Sequence, residues 1–280
     1  MSTDDWLREM KSLFSLLLFA STATAQTYGS AASSGSRDNS ALKRAVQRSA
    51  ASVRSTDLVF PHMATGGGWE TILVIVNMSQ RTVTFDQFFY DTAGRRMSVT
   101  FRSLPEGELI TTDNAHGILQ PGQSFNIVLQ DRGQPLQTGW SELDYDSTSD
   151  RLGGFSIFRQ IIPGRPAFEA LVPLSSIDDS RFFMPFDNLE GFVTSMAILN
   201  PGSSTTDIRL TFRSTTGSIL ATRSIRLAPA AQVSFSVPQE FPEVANRTGT
   251  IYVEGSTEHL SALGFRFNTG GSFATIPIMN

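Results

Sequence analysis

The sequence predicts an all-β protein made of two tandem antiparallel β-sandwich modules, preceded by a signal peptide and a disordered linker. Three observations predict it. The second half of the chain repeats the first in order. Short stretches alternate apolar and polar residues with a period of two, and turn residues punctuate them every roughly 8–12 residues.

The repeat is the most informative of these. Trp69–Met97 aligns over Phe192–Leu220 without a gap. Gly68-Trp69 meets Gly191-Phe192, Ile75-Val76-Asn77 meets Ile198-Leu199-Asn200, Phe89 meets Phe212 and Gly94 meets Gly217. Phe60-Pro61 before this block answers Met184-Pro185, and Leu119-Gln120-Pro121 after it answers Leu227-Ala228-Pro229. Farther on, Gly139 answers Gly249, Phe155–Arg159 answers Leu263–Phe267, and Val172-Pro173 answers Ile276-Pro277. The alignment shifts once, so module 1 carries an insertion at Ser103–Ile118 that module 2 lacks.

Each copy reads as strands. Ile208, Leu210 and Phe212 alternate with Arg209, Thr211 and Arg213, as in a strand with one face buried, and Val233, Phe235 and Val237 alternate with Ser234 and Ser236. Thr71–Val76 is apolar throughout, the pattern of a central strand covered on both faces. Turn signals fall between them at Asp91–Gly94, Pro121-Gly122, Asn200–Gly202, Thr215–Gly217 and Asn268–Gly271.

Four segments follow. Residues 1–25 read as a signal peptide: Lys11, the apolar run Leu13–Ala20 and the small residues Ala23-Thr24-Ala25 form the export layout, and the run is too short to span a bilayer. Asp4, Asp5 and Glu9 are foreign to such a leader and point to Met10 as the translation start. Residues 26–56 are rich in Ser, Ala, Gly and Thr, too poor in large apolar side chains to offset the entropy of ordering, and read as a disordered linker. Module 1 is placed at 57–176 and module 2 at 181–280, on a joint short enough to fix their relative orientation.

Composition excludes several classes. Net charge is −4 with no basic run, whereas a nucleic-acid partner needs a dense cationic face. With no cysteine there are no disulfides, thiolate metal sites or cysteine nucleophiles, and stability must come from the cores. No cofactor is expected, and no transmembrane segment is expected after leader removal.

The phrases FPHMATGGGWETILVIVN, LQPGQSFNIVL, LQTGWSEL, GGFSIFRQ followed by GRPAFEALVPLSS, and FFMPFDNLEGFVTSMAILNP carry a resemblance. Across roughly residues 58–280 the chain resembles a group of bacterial secreted proteins of unassigned function that carry paired immunoglobulin-like modules. The resemblance implies the sandwich fold and export, and implies no catalytic residue.

Direct search for chemistry finds little. His62, His116 and His259 have no spacing that suggests a metal or acid–base pair, and read as incidental surface or edge residues. No G-x-S-x-G elbow occurs. Gly66-Gly67-Gly68 precedes a strand rather than the helix a phosphate loop requires, so it reads as a turn, with Trp69 capping the core. Asp144, Asp146 and Asp150 form an acidic loop without EF-hand spacing, and Asp178-Asp179 and Asp187 lie at the module joint. They read as solvated turns, with calcium the alternative. The insertion holds Glu106, Glu108, Asp113 and His116, and reads as an edge hairpin or a binding loop. The candidate binding surface is thus Gly66, Gly67, Gly68, Trp69, Glu106, Glu108, Asp113, His116, Asp144, Asp146 and Asp150. The expected function is a secreted, periplasmic or cell-surface module without catalysis, for adhesion, scaffolding or ligand binding. Its partner would be an envelope glycan or another exported protein. The alternatives are a loop-based hydrolase of polysaccharide or peptide and a structural spacer.

Overall fold

A computed structural model describes residues 58–105, 107–176, 180–257 and 259–280. The leader, the linker, Glu106 and Asp178-Asp179 lie outside the described residues. Among those described, no helix is long and apolar enough to cross a membrane.

The first module runs β1 (Leu58–Thr65), β2 (Trp69–Asn77), β3 (Val83–Asp91), β4 (Val99–Ser103), β5 (Leu109–Thr112), β6 (Asn114–Leu119), β7 (Ser124–Leu129), β8 (Gln137–Tyr145), β9 (Leu152–Gln160), β10 (Phe168–Pro173) and β11 (Ser175–Ser176). The second runs β12 (Arg181–Asp187), β13 (Val193–Leu199), β14 (Thr206–Ser214), β15 (Ile219–Leu227), β16 (Gln232–Ser236), the four-residue helix α1 (Val237–Glu240), β17 (Thr248–Gly255), β18 (Ser261–Phe267) and β19 (Phe273–Ile276). Four antiparallel sheets result. Sheet I is ordered β11-β1-β8-β3-β6, sheet II β10-β9-β2-β7-β4-β5, sheet III β12-β17-β14-β15 and sheet IV β16-β13-β18-β19.

Sheet I packs on sheet II and sheet III on sheet IV. Period-two alternation supplies both cores: Phe85 and Phe89 of β3 meet Leu73 and Ile75 of β2, while Leu210 and Phe212 of β14 meet Met196 and Ile198 of β13. The strand orders correspond one to one. β1-β8-β3-β6 matches β12-β17-β14-β15, and β10-β9-β2-β7 matches β19-β18-β13-β16. A buried asparagine recurs as well. Asn77 Nδ2 donates to Arg81 O and Leu119 O, and Asn200 Nδ2 donates to Ser204 O and Ala228 O.

The insertion changes one edge. In module 2, β15 stays beside β14 for its whole length. In module 1 the chain leaves sheet I, pairs β4 with β7, turns back as β5 on the rim of sheet II, and only then returns as β6 beside β3. Ser103–Ile118 is therefore an edge hairpin plus a returning strand, with Leu109 and Ile110 half exposed on the rim.

Sheet II is wider than the sheet that covers it. Leu73 and Ile75 on its inner face pack under sheet I. Phe158, Ala170 and Val172 on the same inner face reach past sheet I and pack instead on Ala197, Leu263, Phe265 and Phe267 of module 2. Sheet IV is accordingly covered twice, by sheet III inside its own sandwich and by module 1 outside.

Candidate binding site at the seam between the modules

The seam has a polar anchor and a cleft. The anchor is built on Trp140, which is fully buried. Its ring stacks on Tyr90 at 4.4 Å, its Nε1 donates to Ala230 O at 2.9 Å, and Val59 and Leu199 close around it. The Tyr90 hydroxyl donates to the Glu142 carboxylate. Gln232 then crosses the seam, with its backbone N–H donating to Thr92 O.

The Gln232 side chain fixes a histidine. Its Nε2 lies 2.5 Å from Pro61 O, 2.8 Å from His62 Nδ1 and 3.3 Å from Gly139 O. Two carbonyls around one amide end require that end to be the NH2 group, so Nδ1 of His62 accepts and the neutral ring carries its proton on Nε2. His62 also stacks on Phe158 at 5.7 Å. Burial pushes its pKa down to about 4.

His62 is thus a buried seam residue, correcting the expectation of an incidental surface or edge position. The cause is local. The pairing of β1 with β8 shifts register between Phe60 and Met63, around Pro61. Proline has no N–H to give the ladder and sits at such bulges, and the extra residue re-aims its neighbour out of the sandwich core. The aligned Pro185 pairs with Thr250 in unbroken register.

Beside His62 lies a cleft of about 70 Å³. Sheet IV contributes one wall, with cross-strand rows Ser236–Ser195–Phe265 and Ser234–Ala197–Leu263. Trp69, Phe158 and Gln160 of sheet II face it, with Ala64 and Leu136. Trp69 is 5.4 Å from Phe273 of module 2, so it packs across the seam rather than capping its own module. No charged side chain lines the cleft.

Polar atoms along the seam are short of partners, two of them, Gln160 Oε1 and Ser195 Oγ, on residues that line the cleft. Eight buried side-chain polar atoms lack a hydrogen bond among the described residues, and five of them lie along the seam: Gln160 Oε1, Ser195 Oγ, Gln232 Oε1, Ser236 Oγ and Ser261 Oγ. Leaving one such group buried and unpaired costs about 1–3 kcal/mol, and native structures hold few of them. A second hollow of about 340 Å³ touches Ser261 and is bounded by Ser175 and Phe182, on either side of residues 177–179, which lie outside the described residues.

Of the sequence-derived candidates, Trp69 alone lines the cleft. Gly66, Gly67 and Gly68 all have positive φ and are clasped by the 130–136 loop. Gly68 N donates to Asp131 Oδ2 at 2.7 Å, Gly67 N donates to Gln134 O, and a Cβ on Gly66 would sit 2.5 Å from Pro135 O. Glu108 is exposed between β4 and β5. Asp113 pairs with Arg96 at 3.1 Å. His116 Nδ1 lies 3.0 Å from Asp86 Oδ1 on the open face of sheet I, where Asp144 is the cross-strand neighbour of Asp86. Asp146 closes its own turn, accepting from the Ser149 and Thr148 hydroxyls, which hold its carboxyl below the usual range. Asp150 pairs with Arg81 at 2.6 Å, and Asp187 at the joint pairs with Arg266. Among the described residues no group of three or more His, Asp or Glu side chains is arranged to hold a metal. The candidates therefore do not assemble into one site. Gln160, Ser195 and Gln232 gave no signal in the sequence, since isolated polar residues in strand patterns look like solvent-facing positions.

Fold and cleft together define an all-β protein of two fused sandwiches with an apolar, uncharged cleft between them. No protein-family model and no curated protein matches the sequence.

Proposed function

We propose that the chain is an exported, non-catalytic protein of the secreted immunoglobulin-like kind that works as a ligand-binding module at or outside the cell envelope. The observation that carries this reading is an apolar, uncharged cleft between the modules, with orphaned polar side chains packed around it along the seam. The leader pattern of residues 1–25 and the absence of cysteine accord with export of a protein stabilised by its cores.

Duplication of one ancestral module is part of the reading. The matching strand orders and the paired Asn77 and Asn200 support it. The central strands also follow immunoglobulin pairing: β13 beside β16 and β14 beside β17 correspond to B beside E and C beside F. The outer strands trade places, since the first strand β12 lies beside β17 and β18 lies beside β13.

A hydrolase would be marked by facing carboxylates, or a carboxylate–histidine pair, in a cleft. The Asp86–His116 pair is on an open sheet face, and the cleft histidine has no carboxylate beside it among the cleft-lining residues. The deciding experiment screens the full chain against envelope glycans, exported proteins and small neutral molecules. Saturable binding by any of them supports the reading, and none supports the spacer.

A further inference from the structure

We infer that the outer face of sheet II is the interface of a symmetric dimer, packed face to face against the same sheet of a second copy of the chain. The inference goes beyond the ligand-binding reading and does not depend on it.

The face is apolar where an open face should be polar. An antiparallel sheet with one side in water alternates apolar and polar residues along each strand. β2 does not: Leu73 and Ile75 point into the module 1 core, while Ile72, Val74 and Val76 point the other way. The register sets these outward residues in continuous cross-strand rows. One row runs Leu171–Ile157–Ile72–Val128, and the next runs Pro173–Phe155–Val74–Asn126. Among the described residues, none of these side chains joins either core or the cluster at the seam. Ile72 and Val128 at the centre are nearly buried, and Leu171 at the rim is 48% exposed. A strand apolar on both sides needs cover on both, and sheet I covers one.

Module 2 indicates what kind of cover such a face takes. In the internal alignment, Val128–Ile72–Ile157 corresponds to Ser236–Ser195–Phe265, and Asn126–Val74–Phe155 to Ser234–Ala197–Leu263. Ala197, Leu263 and Phe265 of those module 2 rows pack on Phe158, Ala170 and Val172 of module 1. A β-sandwich module thus already covers this face where it is the more polar of the two. The corresponding face of module 1 carries Ile72, Val74 and Val128 in place of Ser195, Ala197 and Ser236, a larger apolar surface to take out of water.

Charge makes the cover a second copy, because the two sides of the apolar rows are complementary. On the β10 side, Arg159 is shared by Glu169 at 2.6 Å and Glu70 at 3.4 Å, so carboxylate is in excess. On the β4 side, Val128 is the cross-strand neighbour of Arg102, whose guanidinium reaches only Pro105 O, at 3.4 Å. β10 lies two strands from β2 on one side and β4 two strands from it on the other. A two-fold axis in the interface, parallel to β2, therefore lays β10 of one copy over β4 of the other. Glu169 and Arg102 then face each other twice per dimer, one row or about 7 Å apart along the strands, within reach of two long side chains. Apolar rows at the centre and ion pairs at the margin form the ordinary anatomy of a stable interface.

The test is sedimentation velocity of the full chain over about 1–100 μM, where a reversible dimer of moderate affinity shows its concentration dependence. The wild type is expected to sediment as a dimer at the upper end. Ile157→Lys, and independently Leu171→Lys at the exposed rim, should each weaken the dimer at least about tenfold by burying an unpaired charge. The far-ultraviolet circular dichroism of the native chain, retained in both variants, checks folding. Arg102→Glu and Glu169→Arg should each weaken the dimer about threefold, and the two combined should restore it. A wild type that stays monomeric throughout overturns the inference. So does a dimer that both lysine variants leave intact, since it is held elsewhere on the chain. A combined swap no tighter than its single variants overturns the two-fold arrangement.

Discussion

Acidification should loosen the seam through His62. The ring is neutral in the folded chain with its pKa pushed down to about 4 by burial, against 6.5 for an ordinary histidine. Between those values the unfolded chain binds a proton that the folded chain refuses, so stability falls as pH falls. Above pH 6.5 both states are neutral and His62 adds no slope; below about 4 both are protonated and the loss is complete. One pKa unit corresponds to about 1.4 kcal/mol, so the full loss is about 3 kcal/mol, most of it reached by about pH 4.5. The protonated ring would also lose its bond, because Gln232 presents a donor to Nδ1. Urea unfolding followed by tryptophan fluorescence, which reports Trp140 at the seam, measures this at about pH 7.5 and about pH 4.5. His62→Asn keeps an acceptor near Gln232 without a titrating group. It should be less stable at neutral pH but lose about 2–3 kcal/mol less than the wild type on acidification. Asp146 does not confuse the result. Its depressed carboxyl supports folding above the ordinary carboxylate range and releases that support only as pH falls below 3.8. An equal pH-dependent loss in His62→Asn would refute the reasoning.

Other perturbations separate seam from module. Gly94 and Gly217 occupy the same turn in the two copies with φ of 79° and 85°, but a Cβ on Gly94 would meet Ala230 at 2.7 Å whereas one on Gly217 meets nothing within 4 Å. Gly217→Ala should cost only about 1 kcal/mol of backbone strain, and Gly94→Ala clearly more, by denaturant midpoint. Trp140→Phe keeps a ring against Tyr90 but orphans Ala230 O, and is expected to cost about 1–3 kcal/mol. Asn200→Ala strips donors from Ser204 O and Ala228 O and should lower stability by about 2–4 kcal/mol, with Asn77→Ala similar; calorimetric melting compares the pair. Because the seam shares its apolar surface between both modules, the wild type should melt in one transition, which differential scanning calorimetry reads directly.

Much of the fold was legible in particular residues. The alternation of Ile208, Leu210 and Phe212 places those three side chains in the module 2 core, as β14 does. The turn glycine Gly94 and the aligned Gly217 both adopt the left-handed backbone their positions require. The insertion was visible as a shift in alignment, though not its course across two sheets. The candidate site was far less legible. Trp69 was singled out for standing beside three glycines, yet its partner is Phe273, about two hundred residues away in sequence. Strand patterning reports which face of a strand is apolar, not which surface covers it. Phe158, Phe265 and Phe267 look like core residues of their own modules, and Ser195 and Ser234 look like solvent-facing ones.

The sequence by itself determined local conformation and the identity of the two cores, because period-two burial and turn chemistry act over a few residues and leave their pattern in composition. Tertiary structure alone decided that sheet II overhangs its partner, that Pro61 bends β1 to bury His62, and that polar side chains from both modules converge on one cleft. Those outcomes depend on how two finished surfaces meet. That fit is set by the relative orientation of the modules, and no single segment of the chain encodes it.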